Sequence, residues 1–280
     1  DYLAMKLLSE ATTSVSMASG TGMFDIRRCD WDAELVKYLK IKPTMLPAGA
    51  ADDQTFKLNN KYARRWPRLA DAKWFPTIAD GSADNIGSGC VTKSKAALMV
   101  GTSAAMRVAY RGEPPKKIPA GLWCYRIDRK RVIIGGALSD GGNLYQLIKN
   151  RFKLPANTDE LIRRRGAASD ELIVLPFFFG ERSTGYNEDA RGAIVGLNAS
   201  HDGVDILHAA MEGVAFRLAE IYTRLKKVAD IREIVASGGA LRASPVWTQI
   251  IADVLGRELT INDMDESALR GAVLMNRSYF

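Results

Sequence analysis

Apolar and polar positions change their spacing along this chain, and the changes mark out its elements. Residues 1–10 and about 31–39 carry apolar side chains at helical intervals, with Asp30 as the expected cap of the second helix. Between them, Thr12 to Asp25 is rich in Ser, Thr and Gly and reads as turns. Residues 43–73 are polar, with early prolines and many Lys and Arg. They read as loop with a short helix and offer a place for a domain boundary. The pattern then shortens. Ala96–Val100, Ala105–Tyr110, Leu122–Ile127 and Arg131–Ile134 read as four strands in hairpin order. Helices are expected from about Gly142 to Arg151 and over 158–165. Leu172–Phe179 is a continuous apolar run closed by Gly180, and Ala193–Leu197 reads as a short strand. The longest helix runs from about Val204 to Val228, opened by Asp202 or Asp205. A strand at 233–236, a helix at 245–255, a strand at 258–262 and a helix from about Ser267 complete the chain. Hairpins followed by alternating helices and strands define a mixed α/β chain.

Composition narrows the classes. The 280 residues, 47% of them hydrophobic, suit one large or two modest domains with a full core. No apolar run reaches the roughly 18 residues of a membrane span. The three cysteines, Cys29, Cys90 and Cys124, are scattered and odd in number, which fits neither a disulfide framework nor a metal site and suggests a reducing cytoplasm. Lys and Arg outnumber Asp and Glu by 39 to 32, a net +7. The basic clusters, Arg163 to Arg165 and Arg126 to Arg131, lack interleaved aromatics for stacking bases. They are expected on solvated faces, with no nucleic-acid partner. His201 and His208 are too few for a metal centre and read as surface or satisfied core residues. The opening residues show no leader or cleavage site. The chain enters in mid-helix without Met and is expected to be a piece of a longer protein.

Four stretches can carry chemistry. Ile234 and Val235 run into the turn Gly238-Gly239, followed by Ala240, Ala243, a capping Ser244 and Pro245 at the first helical position. Bare backbone at such a turn lets a flat ring or a phosphate approach to contact distance; packing alone is the plainer reading. In Phe75 to Gly89, Asp80 stands where an apolar run meets a helix start. It is placed to accept a proton, hold a metal ion, or only cap the helix, and Asp84 is the rival carboxylate. At Gly101-Thr102-Ser103 two strands meet in a turn that can aim N–H groups and hydroxyls at an anion, or serve as an ordinary hairpin. Gly141 and Gly142 open a helix whose dipole and free N–H groups suit an anion, with Gln146 one turn on.

These stretches together resemble the FGGY family of carbohydrate kinases over nearly the whole chain. The stretch Ala236 to Gly256 resembles the family's adenosine segment, and Leu98 to Arg107 its second phosphate loop. Asp80 with Gly87 seven residues later reproduces an aspartate–glycine spacing of the family. Glu266 to Ala272, Gly180 to Ser183 with Asp189 to Gly192, and Ser16 to Gly22 with Asp30 to Asp32 are similar to further family segments. Gly121 to Arg126 and Gly135 to Ala137 give a gluconokinase-like flavour, with xylulokinase next. The resemblance implies an actin-like, ribonuclease-H-like ATPase fold, mostly its C-terminal half. Residues 1–89 would end the sugar-binding domain and 90–280 would form the nucleotide-binding domain. It implies ATP-dependent phosphorylation of a hydroxyl on a sugar or sugar acid, a gluconate-like substrate being favoured, with ATP and Mg2+ as cofactors. Asp80 would be the general base and serve the metal. Gly101, Thr102, Ser103, Gly142, Gln146, Gly238, Gly239, Ala240 and Ala243 would meet the nucleotide. Some relatives have Asn at the place of Ala243. The charges of 180–192 would order a loop or pack domains. A cytoplasmic enzyme is expected, with a homodimer allowed for. Because the family's first phosphate hairpin falls outside this chain, the chain alone is expected to be inactive. The alternative is a non-catalytic nucleotide-binding remnant.

Overall fold

Alternating apolar residues build the hairpins that form the centre of the computed structural model, which describes residues 2–166, 171–262, 264 and 266–276. Asp1 and Tyr279-Phe280 lie outside the described residues. Strands β1 (Lys95–Val100) and β2 (Ala104–Arg111) form a hairpin with Val100 opposite Ala104. Strands β3 (Trp123–Asp128) and β4 (Arg131–Leu138) form a second, and β2 pairs antiparallel with β4. Strands β5 (Glu233–Ser237) and β6 (Leu259–Ile261) are parallel to each other, and β5 is parallel to β1. The sheet order is β6-β5-β1-β2-β4-β3. Strand β1 is therefore the seam between the parallel and the antiparallel part.

Helices cover both faces. On one side lies α4 (Gly203–Leu225), whose buried Leu207, Met211, Val214, Leu218, Ile221 and Leu225 recur every three or four residues. Its start uses both carboxylates suggested by the sequence. Asp202 Oδ1 accepts from Val204 and Asp205 N–H at 2.8 and 3.1 Å, and Asp205 Oδ2 accepts from Asp202 N–H at 2.9 Å. Helices α2 (Gly142–Arg151), α3 (Thr158–Arg165) and α6 (Pro245–Leu255) pack beside α4. Across the sheet lie α1 (Asp80–Gly87) and α7 (Ser267–Asn276), above Ala109, Ile127 and Ile133. These two helices touch backbone to backbone. A Cβ on Gly87 would lie 1.7 Å from the Ser267 carbonyl oxygen, and one on Gly271 would lie 1.8 Å from that of Ala83. Among the described residues no helix is long and apolar enough to cross a membrane.

Several expectations are corrected. The cap of the early helix Ala33–Tyr38 is Asp32, which accepts from Leu35 N–H at 2.9 Å; Asp30 belongs to a short strand. Thr12 to Asp25 holds a real helix, Val15–Ser19, capped by Ser14. Strand β4 continues four residues past Ile134 through Gly135 and Gly136. Both glycines are demanded by neighbours, since a Cβ would lie 2.5 Å from Met106 O or 2.8 Å from Ile221 Cγ1. The strand expected over Ala193–Leu197 ends at Val195 and pairs with Ile173–Leu175 of the apolar run Leu172–Phe179, in which Pro176 then removes a donor. Helix α4 stops at Leu225, short of Val228, and strand β6 is shorter than 258–262. The five-residue helix α5 (Gly239–Ala243) fills what reads as a turn. Arg126 lies on no solvated face. It is 1% exposed, donates to Ile26 and Gly112 carbonyls and pairs with Glu113 at 2.6 Å. Arg163 and Arg164 are solvated as expected, both on Glu160. His208 is buried, which pushes its pKa down, with Nε2 3.5 Å from Glu212. His201 Nδ1 accepts from Asn198 N–H at 3.1 Å. Glu181 orders its loop as expected, pairing with Arg217 of α4 and accepting from Gly185 N–H.

Candidate active site

Three turns emerge at one end of the sheet because β1 and β5 run side by side with Met99 beside Ser237. The β1–β2 turn, the start of α2 and the start of α5 together wall a cleft of about 530 Å³, within the usual size of a ligand pocket. Its walls include seven of the residues singled out in the sequence: Gly101, Thr102, Gly142, Gln146, Gly239, Ala240 and Ala243. Ser103 and Gly238 are not among the lining residues. A Cβ on Gly141 would lie 2.6 Å from the Ser103 carbonyl carbon, and one on Gly238 would lie 2.3 Å from Val100 O. Gly238 also has φ +109°, a backbone conformation suited to glycine. Gly239 differs from its neighbour, because its Cβ would meet nothing within 4 Å. It leaves the cleft open.

The polar groups of the cleft are distributed unlike the expectation. The N–H groups at the start of α2 are not free. Gly142 N–H donates to Gly101 O at 2.8 Å and Asn143 N–H to Thr102 O at 3.0 Å. Gly141 N–H and Leu144 N–H both reach Asn143 Oδ1 at 2.8 Å. These bonds lock the hairpin to the helix, and what α2 offers an anion is its dipole. Among the described residues no hydrogen bond uses the N–H or hydroxyl of Thr102 or Ser103, or the Gln146 carboxamide. Those groups are the ones available to a ligand.

Asn143, Tyr145 and Ser244 also line the cleft; Asn143 and Tyr145 were not singled out in the sequence, and Ser244 was read there only as a helix cap. The Tyr145 ring stacks on Trp247 with centroids 5.8 Å apart, and its hydroxyl donates to Asp159 Oδ1 at 3.1 Å. Burial pushes the phenol up to about 12, so it remains a neutral donor. The signal for it was helical geometry: Gly142, Tyr145 and Gln146 share one face of α2. Ser244 Oγ caps α6 by accepting from Trp247 N–H at 3.3 Å.

The carboxylates divide. Asp80 is the first residue of α1 and is exposed, and the N-cap is Ala79. Asp80 therefore is not the cap, and it stands at no strand end. Its Oδ1 accepts from its neighbour Gly81 N–H at 2.7 Å. Asp84 is committed instead. Its Oδ2 lies 2.6 Å from Arg107 Nη2, and its Oδ1 accepts from Ser267 Oγ. Among the described residues both oxygens of Asp84 carry a donor, whereas Asp80 Oδ2 carries none, so Asp80 has the less encumbered oxygen for taking a proton. Among the described residues no group of three His, Cys, Asp or Glu side chains is placed to hold a metal ion. A lone carboxylate still suits Mg2+, which keeps most of its waters and takes phosphate oxygens.

A six-stranded mixed sheet with helices on both faces and a cleft between hairpin and helix starts defines a chain of the actin-like ATPase fold. The chain belongs to the FGGY family of carbohydrate kinases: the model of that family's C-terminal domain matches residues 96–276 and that of its N-terminal domain matches residues 1–67. It is 28% identical to a gluconokinase of Bacillus subtilis over 98% of its length and 56% of that protein's. It is 25% identical to a xylulose kinase of Staphylococcus xylosus over 98% of its length and 58% of the other's. The crystal structure of gluconate kinase from Lactobacillus acidophilus superposes with a TM-score of 0.89 at 28% identity, covering 99% of this chain and 57% of that one. The chain thus spans somewhat more than half the length of the relatives it matches.

Proposed function

We propose that this chain carries the nucleotide site and the catalytic carboxylate of a kinase that transfers the terminal phosphoryl group of ATP to a hydroxyl of a sugar or sugar acid. The observation that carries the reading is the cleft itself. Three stretches far apart in sequence converge on it, leaving Gly239 open and the donors of Thr102 and Ser103 unspent. Thr102 and Ser103 are assigned to the phosphates. Gly142, Gln146, Gly238, Gly239, Ala240 and Ala243 are assigned to the remainder of the nucleotide. Phosphoryl transfer needs positioning and charge neutralisation more than covalent chemistry. Asp80 is the proposed general base, taking the proton from the attacking hydroxyl late in the transfer. Magnesium, when bound with the nucleotide, supplies charge neutralisation at the phosphates.

A gluconate-like acceptor is favoured because gluconate and xylulose kinases are among the relatives. A division at residues 89 and 90 falls between the two family matches, with α1 reaching across to pack on α7. A cytoplasmic setting and a homodimer complete the proposal. The test is Asp80→Asn in the whole protein, with any residues that flank this chain. Turnover should vanish while Mg·ADP binding persists. Retained turnover would remove Asp80 from the role. Nucleotide binding without sugar-dependent ADP formation in the parent would favour a non-catalytic nucleotide-binding protein.

A further inference from the structure

The layer between the sheet and α1/α7 is built around Ile86, Ala109, Ile127 and Ile133, and one strand residue sets a buried charge among them. Successive residues of β2 alternate between faces. Met106, Val108 and Tyr110 enter the core under α4, while Ala109 faces α1 and α7. Arg107 has the parity of Ala109 and so carries a guanidinium into that second layer, where it is 6% exposed. Space is cleared for it on two sides. A Cβ on Gly81 would lie 2.3 Å from Arg107 Nη1, and a Cβ on Gly135, opposite Arg107 on β4, would lie 2.8 Å from its Cγ. Nη2 pairs with Asp84 at 2.6 Å, and Nε is buried without a partner among the described residues. Asp80 is close enough for its charge to act on the guanidinium.

As a stabilising device this is a poor choice. A buried ion pair seldom outperforms an apolar pair of the same volume, and a buried donor left unpaired adds a cost. What the arrangement does provide is a connection. Arg107 lies four residues beyond Ser103 on a strand that begins in the β1–β2 turn. Its other end touches the first turn of α1 beneath Gly81, next to Asp80. Through Asp84 it also reaches Ser267 at the start of α7. A rigid strand thus joins the proposed phosphate turn to the helix that holds the proposed base.

We propose that Arg107 is a positioning residue that couples occupancy of the β1–β2 turn to the placement of α1, and with it Asp80. The inference rests on the reading of the cleft as a nucleotide site. Its guanidinium touches neither reactant. It holds the helix start so that the carboxylate meets the acceptor hydroxyl, and misplacement by about 1 Å costs on the order of 100-fold in rate.

The test uses the whole protein and four variants: Asp80→Asn, Arg107→Met, Arg107→Lys and the double variant Arg107→Met/Asp84→Asn. The double variant removes both charges, so that no lone buried anion remains. Amide hydrogen exchange over residues 82–87 is measured with and without Mg·ADP, alongside Tm, kcat and KM. In the parent and in Asp80→Asn, Mg·ADP is expected to slow exchange in α1 by about tenfold, an effect of the size typical of coupled sites. In the double variant Tm and Mg·ADP affinity are retained, the slowing disappears, and kcat falls 10- to 100-fold with both KM values within about threefold. Arg107→Lys restores part of kcat. If the double variant does not fold, Arg107→Lys alone decides, through a reduced slowing and a reduced kcat at unchanged KM. Slowing that persists in the double variant, kcat that recovers with Tm, or a parent without slowing in α1 would overturn the proposal. Activity surviving in Asp80→Asn while α1 still responds would instead dismiss Asp80 as base and leave the coupling standing.

Discussion

Adjacent glycines at 238 and 239 should respond to substitution in opposite ways. At Gly238 the backbone has φ +109° and a Cβ would lie 2.3 Å from Val100 O. An L residue there meets left-handed strain of about 1–2 kcal/mol, and forcing β5 away from β1 adds about 1–3 kcal/mol. Gly238→Ala should therefore lose about 2–5 kcal/mol, or roughly 5–15 °C in Tm for a chain of this size. At Gly239 the Cβ vector opens onto the cleft with no atom within 4 Å. Gly239→Ala should be neutral or gain about 0.5 kcal/mol from helix propensity. Gly239→Trp should keep Tm within about 2 °C of the parent, yet weaken Mg·ADP at least 100-fold, or about 2.8 kcal/mol, by placing an indole where the ligand would lie. Thermal unfolding followed by calorimetric titration reads both effects. The reasoning is refuted by a Gly239→Trp protein that binds Mg·ADP like the parent, or by a Gly238→Ala protein that melts with it.

The crossing of α1 and α7 gives a second expectation. Gly87→Ala or Gly271→Ala puts a methyl within 2 Å of a backbone carbonyl, so the helices must part and about 3 kcal/mol should be lost; an unchanged urea midpoint would contradict it. Asp140 gives a third. Burial raises it to about 6 while one oxygen accepts from Phe178 N–H at 3.2 Å and the other has no partner among the described residues. The folded chain then keeps a proton that the unfolded chain releases near pH 4. Stability should decline as pH rises from about 4 to 6 and level off above, by up to about 3 kcal/mol. Asp140→Asn should abolish that decline, and an unaltered slope of Tm against pH between 4 and 6 would dismiss it.

What the sequence made legible were features that local chemistry decides. The apolar alternation around Gly101-Thr102 gave the hairpin, and the Asp202/Asp205 pair gave the start of α4. Ser244-Pro245 gave the start of α6. What escaped depended on partners distant in sequence. Gly135-Gly136 reads as a strand break until Met106 and Ile221 are seen pressing on it. Arg126 reads as one of a solvated run until Ile26 and Glu113 are found around it. The start of α2 looked like a free anion site because nothing local shows that the carbonyls of Gly101 and Thr102 consume its donors. The preference for Asp80 over Asp84 could be drawn from a resemblance but not from pattern; what no local pattern shows is that Arg107 and Ser267 occupy Asp84.

The seam at β1 also bears on synthesis. The hydroxyl of Ser237 meets the carbonyl of Leu98 across 139 positions of chain, and α5 follows directly on β5. Contacts of such separation form late, because the loop between them must close first. A ribosome-bound chain ending before residue 239 has β1 and β2 but lacks one wall of the cleft. The cleft is accordingly a checkpoint on chain length: on the nucleotide reading, an immobilised nucleotide would let chains that stop before Gly239 pass and would retain those that continue beyond Ser244.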